Sequence, residues 1–215
     1  MLALIPGNDF ELTRLDPVIR EFESRNFNYL VVRNKDGDTS VPAHAFSSEF
    51  LPMAEVSMSG TIETTNGAGP VGMMESIEQV FKKNIPKIAL IAGDSDYALA
   101  AAIVAAKKGT RLAHIEAGLR NYNRSDQSEI NRVIIDHLSH YLFAPDEPAR
   151  ENLVSEGIDE SRISVFGNTD GTEWWVPNTR KRNIPAWIIV TILQSAYHNV
   201  YSGLSGDGRT AALQE

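Results

Sequence analysis

Lys87–Arg132 reads KIALIAGDSDYALAAAIVAAKKGTRLAHIEAGLRNYNRSDQSEINR. In order, these residues spell a strand, a glycine turn, a helix, a second strand and a loop dense in charged and amide side chains. Ile88–Ala92 is an unbroken apolar run between Pro86 and Gly93, the composition of a strand buried on both faces of a parallel sheet. Ser95–Lys108 is alanine-rich and free of proline and internal glycine. It ends on two lysines that suit the negative end of a helix dipole, and Gly109 stops it. Arg111–Ile115 returns as the next strand. Strand, helix and parallel strand form a right-handed unit whose residues just past the strand ends face one crevice. Asp94 and Glu116 hold those two places.

The alternation extends in both directions. Leu2–Ile5 reads as a strand closed by Pro6-Gly7. Phe10–Arg25 reads as a helix on Leu12, Leu15, Ile19 and Phe22, with Pro17 its one defect, and Tyr29–Arg33 as a second strand. The first turn, GNDFE, lacks the full glycine pattern of a dinucleotide fingerprint. Asn34–Gly72 is broken by prolines and glycines and predicts a loose connection with one or two short elements, whereas Met73–Lys83 has a helical apolar face. Downstream, Glu129–His140 reads as a helix with Ser128 as N-cap, Tyr141–Ala144 as a strand and Glu147–Glu156 as a helix capped by Asp146. Arg162–Phe166 is a further strand running into Gly167-Asn168-Thr169. The pattern predicts an α/β protein with a Rossmann-like, doubly wound, mostly parallel sheet over residues 1–172. Residues 173–215 read as a linker and the incomplete start of a second domain, with Trp187–Leu193 as one more buried strand.

A chain of 215 residues, 42% of them hydrophobic, has material for one good core, or one core and a fragment of another. With 20 basic against 28 acidic residues the net charge is -8, which argues against nucleic acid or an anionic membrane as partner; the basic cluster at Arg180–Arg182 is weak. The absence of cysteine excludes disulfides, thiolate catalysis and zinc–sulfur or iron–sulfur sites. No segment approaches the roughly 20 apolar residues that span a bilayer. The opening MLALIPGNDF is too short and too quickly polar for a signal peptide, so the cytoplasm is the default location.

A carboxylate at the C-terminal rim of a parallel sheet is partly desolvated, which moves its titration toward neutrality, and two that face one cleft push their titrations apart. Asp94 and Glu116 suit a reaction that needs one acid and one base. The bland alternatives are a turn or N-cap role for Asp94 and a salt bridge to Arg120 or Arg132 for Glu116. Asp94-Ser95-Asp96 also has the acid-x-acid spacing that can hold Mg²⁺ or Mn²⁺ against a diphosphate, a spacing common by chance. His114 alternates with Glu116 along its strand, which places both on one face, and reads as a hydrogen-bonded core histidine; His137 and His140 read as structural. Arg14, Arg120, Arg124 and Arg132 are candidate phosphate clamps.

The run GDSDYALAAAIVAAKKGTRLAHIEAGLRNYNRSDQSEINRVIIDHLSHYLFAPDEPARENLVSEGI, with VFGNT after it, resembles the non-hydrolysing UDP-N-acetylglucosamine 2-epimerases. HIEAGLR, EINR, LFAP and GNT, in that order and spacing, carry the resemblance, which is strong from about Ile85 to Thr169 and fainter in GNDFELTRLDPVIREFESR. It implies the N-terminal half of a GT-B-type fold and a UDP-sugar ligand. The chemistry implied is inversion at C2 by elimination of UDP to a glycal and re-addition, with no metal and no nicotinamide. Asp94 and Glu116 are then the expected acid/base groups, with Glu129 beside them; Arg14, Ser95 and Arg120 are the expected substrate-binding groups, and a homodimer is among the assemblies the resemblance allows. The chain also departs from the family pattern. Asp9 stands where the family's GTRPE arginine is expected, and Ser128 where the first of its paired glutamates is expected. No counterpart of the family's histidine- and glutamine-bearing loop is evident between Asn34 and Pro52. Ile188–Val200 faintly resembles the start of the second domain, with Leu193 and Gln194 in place of histidine and arginine. These losses favour, as the alternative, a domain that binds nucleotide or a partner without turnover; a metal-dependent UDP-sugar transferase using Asp94 and Asp96 is the third reading.

Overall fold

A computed structural model describes residues 1–34, 60–64, 69–165 and 186–202. The KDGD turn, His44, the GNT segment, Arg180–Arg182, the glycine-rich tail and the 172/173 boundary lie outside these residues. The described strands are β1 (Leu2–Pro6), β2 (Tyr29–Asn34), β3 (Gly60–Thr64), β4 (Ile88–Ala92), β5 (Arg111–Ile115), β6 (Tyr141–Ala144) and β7 (Ile163–Val165). They form one sheet in the order β3-β2-β1-β4-β5-β6-β7, and every pairing is parallel. The chain grows outward from β1 in one direction and from β4 in the other. The crevice between β1 and β4 is therefore the topological switch point, where open α/β sheets bind ligands.

Side-chain alternation divides the apolar strands between two cores. Leu2, Leu4, Ile88, Leu90, Ala113 and Ile115 face one cluster, shared with α1 (Asp9–Ser24) and α6 (Ala186–Ser202). Ala3, Ile5, Ala89, Ile91 and Leu112 face the other, shared with α2 (Pro70–Asn84), α3 (Asp96–Lys107) and α4 (Gln127–Leu138). A small third cluster lies beneath α5 (Glu147–Ser155). The alanines of α3 let it lie close to its neighbours, and Ser95 caps it by accepting from Ala98 N at 3.2 Å. Pro17 sits inside α1 without ending it. The helix buries Leu15, Val18, Ile19 and Phe22, which outweighs the roughly 3 kcal/mol cost of an internal proline.

Two expectations change. The N-cap of α4 is Asp126, whose side chain accepts from Ser128 N, so the helix starts two residues before the position the Ser128 reading gave it. One or two short elements were expected in the poorly patterned connection and one is found there: β3, a sheet member pinned by Thr64 Oγ1 against Tyr97 Oη at 2.7 Å. Trp187–Leu193 is not a strand: it belongs to α6. The β-branched run Ile188-Ile189-Val190-Thr191-Ile192 has strand composition, but Ile189, Val190, Leu193 and Ala196 recur at helical spacing and are buried against α1. Gln194, on this helix, accepts from Arg25 Nη1 at 2.9 Å.

Candidate functional site

The register Pro6↔Ala92↔Ile115 lines up the ends of β1, β4 and β5, so that Gly7, Gly93 and Glu116 form one row along the C-terminal rim. Glu116 adopts a left-handed backbone, φ 63, and forms an ion pair with Arg14 Nη1 at 2.5 Å. This corrects the alternation argument. His114 turns to Asp136 on α4, on one face of the sheet, whereas Glu116 reaches Arg14 on α1, on the other. The left-handed residue breaks the strand's two-residue period. The charge partner of Glu116 is thus neither of the arginines the sequence suggested.

Asp94, two residues past β4, is 32% exposed and bound by Arg132 Nη1. Asn131 Nδ2 donates to the Asp94 carbonyl at 2.8 Å and to Asp96 Oδ1 at 3.0 Å. The Asp94 and Asp96 carboxylates are therefore held by different partners. Among the described residues no group of three histidine or acidic side chains is placed to hold a metal ion.

Glu129 and Arg120 depart from their expected roles. Glu129 is buried and accepts from Asn121 N at 3.1 Å, Tyr122 N at 2.9 Å and Arg132 Nη2 at 3.0 Å. Burial opposes its charge, but these donors outweigh burial and hold the carboxyl below its ordinary range. A carboxylate so occupied anchors a loop and is a poor proton carrier, so Glu129 does not replace the glutamate absent at Ser128. Arg120, with a side chain 1% exposed, binds Asp136 Oδ2 at 2.8 Å and Glu156 Oε1 at 2.7 Å, and is no phosphate clamp. Burial works against its charge; the bonds to Glu156 and Asp136 prevail and raise its pKa. Ser95 spends its hydroxyl on the α3 cap and on Glu11 Oε2, at 3.4 Å.

Glu11 is the group sequence reasoning passed over. It is 3% exposed, at the centre of the switch point. Gly7 N donates to its Oε2 at 2.5 Å and Asn8 Nδ2 to its Oε1 at 3.2 Å. Burial, with Asp94 nearby, pushes its carboxyl up to about 7 against the pull of the Gly7 bond. The only signal in the sequence was an acid in the turn GNDFE, three residues after an N-cap, where a glutamate is also an ordinary capping-box residue.

A doubly wound parallel sheet with charged groups along its switch point defines a Rossmann-like body of the GT-B type. A lipopolysaccharide outer core galactosyltransferase shares the fold with a TM-score of 0.52 at 15% identity, over 78% of this chain and 45% of that one. More specifically, the model of the family described as UDP-N-acetylglucosamine 2-epimerase matches residues 41–190, and the chain belongs to that family. It is 38% identical over 169 residues to the UDP-N-acetylglucosamine 2-epimerase of Methanocaldococcus jannaschii, covering 78% of this chain and 46% of that protein. The crystal structure of the M. jannaschii enzyme in complex with UDP-GlcNAc and UDP matches with a TM-score of 0.67 at 37% identity, over 78% of this chain and 46% of that one. The chain thus spans about half the length of the relatives it matches.

Proposed function

We propose that this chain is the N-terminal half of a UDP-N-acetylglucosamine 2-epimerase. In that reaction the C2 proton is removed while the C1–O bond to UDP breaks, giving a glycal and UDP; a proton then returns to the other face of C2 as UDP rejoins C1. The observation that carries the reading is the pair of acid–arginine couples on adjacent turns of one rim, Asp94 with Arg132 and Glu116 with Arg14. Each couple offers a carboxyl for proton transfer and a guanidinium for a phosphate, and the reaction needs both. In this reading Asp94 and Glu116 are the acid/base groups and Arg14 approaches the diphosphate. Residues 1–172, with α6 packed against α1, form the first half of a two-domain protein. The ligand is a UDP-sugar, the expected assembly a homodimer and the expected compartment the cytoplasm.

Incubation with UDP-GlcNAc in D₂O tests the proposal. Deuterium at C2, lost in Asp94→Asn and Glu116→Gln, supports it. No deuterium and no UDP release, under conditions where an intact relative reacts, sinks it. The occupied state of Glu129 favours a second reading, a domain that binds UDP without turnover, because the acid next to Ser128 is then committed to Asn121, Tyr122 and Arg132. UDP binding without deuterium incorporation selects that reading.

A further inference from the structure

The turn after β1 and the turn after β4 approach each other only because each carries a glycine. A Cβ on Gly7 would run into Ser95 Oγ, and a Cβ on Gly93 would run into the carboxyl of Glu11. Into the space so left, α1 sends the Glu11 side chain. One oxygen takes the Gly7 N–H of the first turn and the Ser95 hydroxyl of the second; the other oxygen takes Asn8. We propose that Glu11 is a positioning residue: its carboxyl latches the β1–α1 turn to the β4–α3 turn, and so sets where Asp94 and Arg14 stand on either side of the switch point.

The inference rests on the proposed function only for the roles of Asp94 and Arg14; the latch itself does not need it. The groups that face the carboxyl are Arg14 from α1 and Asp94 and Ser95 from the β4–α3 turn, with Asn8 and Gly7 from its own turn. His114, on β5, approaches the far side of the second turn through the Gly93 carbonyl, at 3.1 Å. The latch also occupies the backbone N–H that glycine-rich first turns elsewhere offer to a diphosphate. With Gly7 N given to Glu11, a phosphate approaching this end of α1 has Arg14 as its nearby cation. Because the carboxyl exchanges its proton near neutrality, the latch has a pH signature that a merely structural contact lacks.

The test is an amide nitrogen–proton NMR titration of the chain between pH 5 and 9, without nucleotide. The expected result is that Gly7, on one turn, and Gly93, Asp94 and Ser95, on the other, shift together with one midpoint near 7, and that Glu11→Gln abolishes the shift at all four. Movement of Gly7 alone overturns the proposal. So does a Gly93–Ser95 titration that survives in Glu11→Gln, which would belong to His114. The wild-type titration stands even if the variant folds poorly. Because no UDP is present, failure here leaves the epimerase reading untouched, and failure of the deuterium experiment leaves the latch untouched.

Discussion

His114 Nδ1 lies 2.6 Å from Asp136 Oδ1 with both side chains sealed from solvent, and the second ring nitrogen lies 3.1 Å from the Gly93 carbonyl oxygen. Two acceptors facing one ring favour its doubly protonated form. Burial alone would discharge it, but Asp136 and Gly93 hold its pKa above the ordinary histidine value. Asp136 in turn accepts from Gly118 N at 3.0 Å and binds Arg120, which continues to Glu156. These four side chains thus tie β5, the loop after it, α4 and α5 into one block behind the rim.

Asp136→Ala leaves Arg120 and His114 buried without the carboxylate they share, and should destabilise the fold by about 3–5 kcal/mol in urea denaturation. The pH dependence has two limbs. The raised His114 contributes fully below its unfolded value and loses that contribution as pH climbs through its folded value. Asp136 is depressed by His114 and Arg120 against the opposing effect of burial. It contributes above its unfolded value and loses that contribution as pH falls through its folded one. The variant should therefore lose most against wild type in the mildly acidic range between these limbs; a uniform difference at all pH would refute the account.

Glu11 predicts the opposite of an ordinary paired carboxylate. Its pKa rises from 4.5 to about 7 on folding, so the folded state binds the extra proton between these values. Its contribution is full below 4.5 and is lost as pH rises through 7. The loss amounts to about 3 kcal/mol at one pK unit per 1.36 kcal/mol. Glu11→Gln should gain on wild type from pH 5 to 8 in chemical denaturation; parallel curves would contradict the assignment.

Gly118→Ala and Gly109→Ala make a matched pair, since both glycines have a left-handed backbone, φ 84 and φ 72. Nothing lies near a Cβ at Gly109, so that variant carries the backbone cost alone, about 1–2 kcal/mol. A Cβ at Gly118 meets the Ala149 carbonyl oxygen, which adds about 1–3 kcal/mol. Equal shifts in melting temperature would show that α5 gives way freely.

Arg132→Ala removes the cation that joins Asp94 to Glu129. Glu129 keeps the Asn121 and Tyr122 amides, so the loop should stay ordered while stability falls by about 1.5–3 kcal/mol, the worth of charge-assisted bonds. Proteolysis within Asn121–Ser125 that appears only in the variant would instead make the arginine the loop's main anchor.

The sheet was legible because its strands are short apolar runs between glycine and proline, and buried parallel strands need little else: Ile88–Ala92 and Leu2–Ile5 lie almost where their composition put them. The helix at 186–202 was not, because β-branched residues argued for a strand and only packing against α1 decided between the two periods. At the site, sequence order located Asp94 and Glu116 on the rim and brought Arg14 near them. It named other arginines than Arg14 as the charge partner of Glu116, because this left-handed residue redirects its side chain across the sheet and no local pattern announces it. Arg120 and Glu129 looked available because exposure is a property of the assembled fold. Glu11 was overlooked since a first-turn glutamate is ordinary until two glycines bury it.

The docking of α6 onto α1 carries a lesson about synthesis. A nascent polypeptide that has emerged as far as Val165 already owns every strand described, yet the furrow that Ile189, Val190 and Leu193 fill remains bare and greasy. Maturation of α1 must wait for α6, some 170 residues behind it in the queue from the ribosome. Until that partner arrives, the half-finished molecule is a natural client for chaperones.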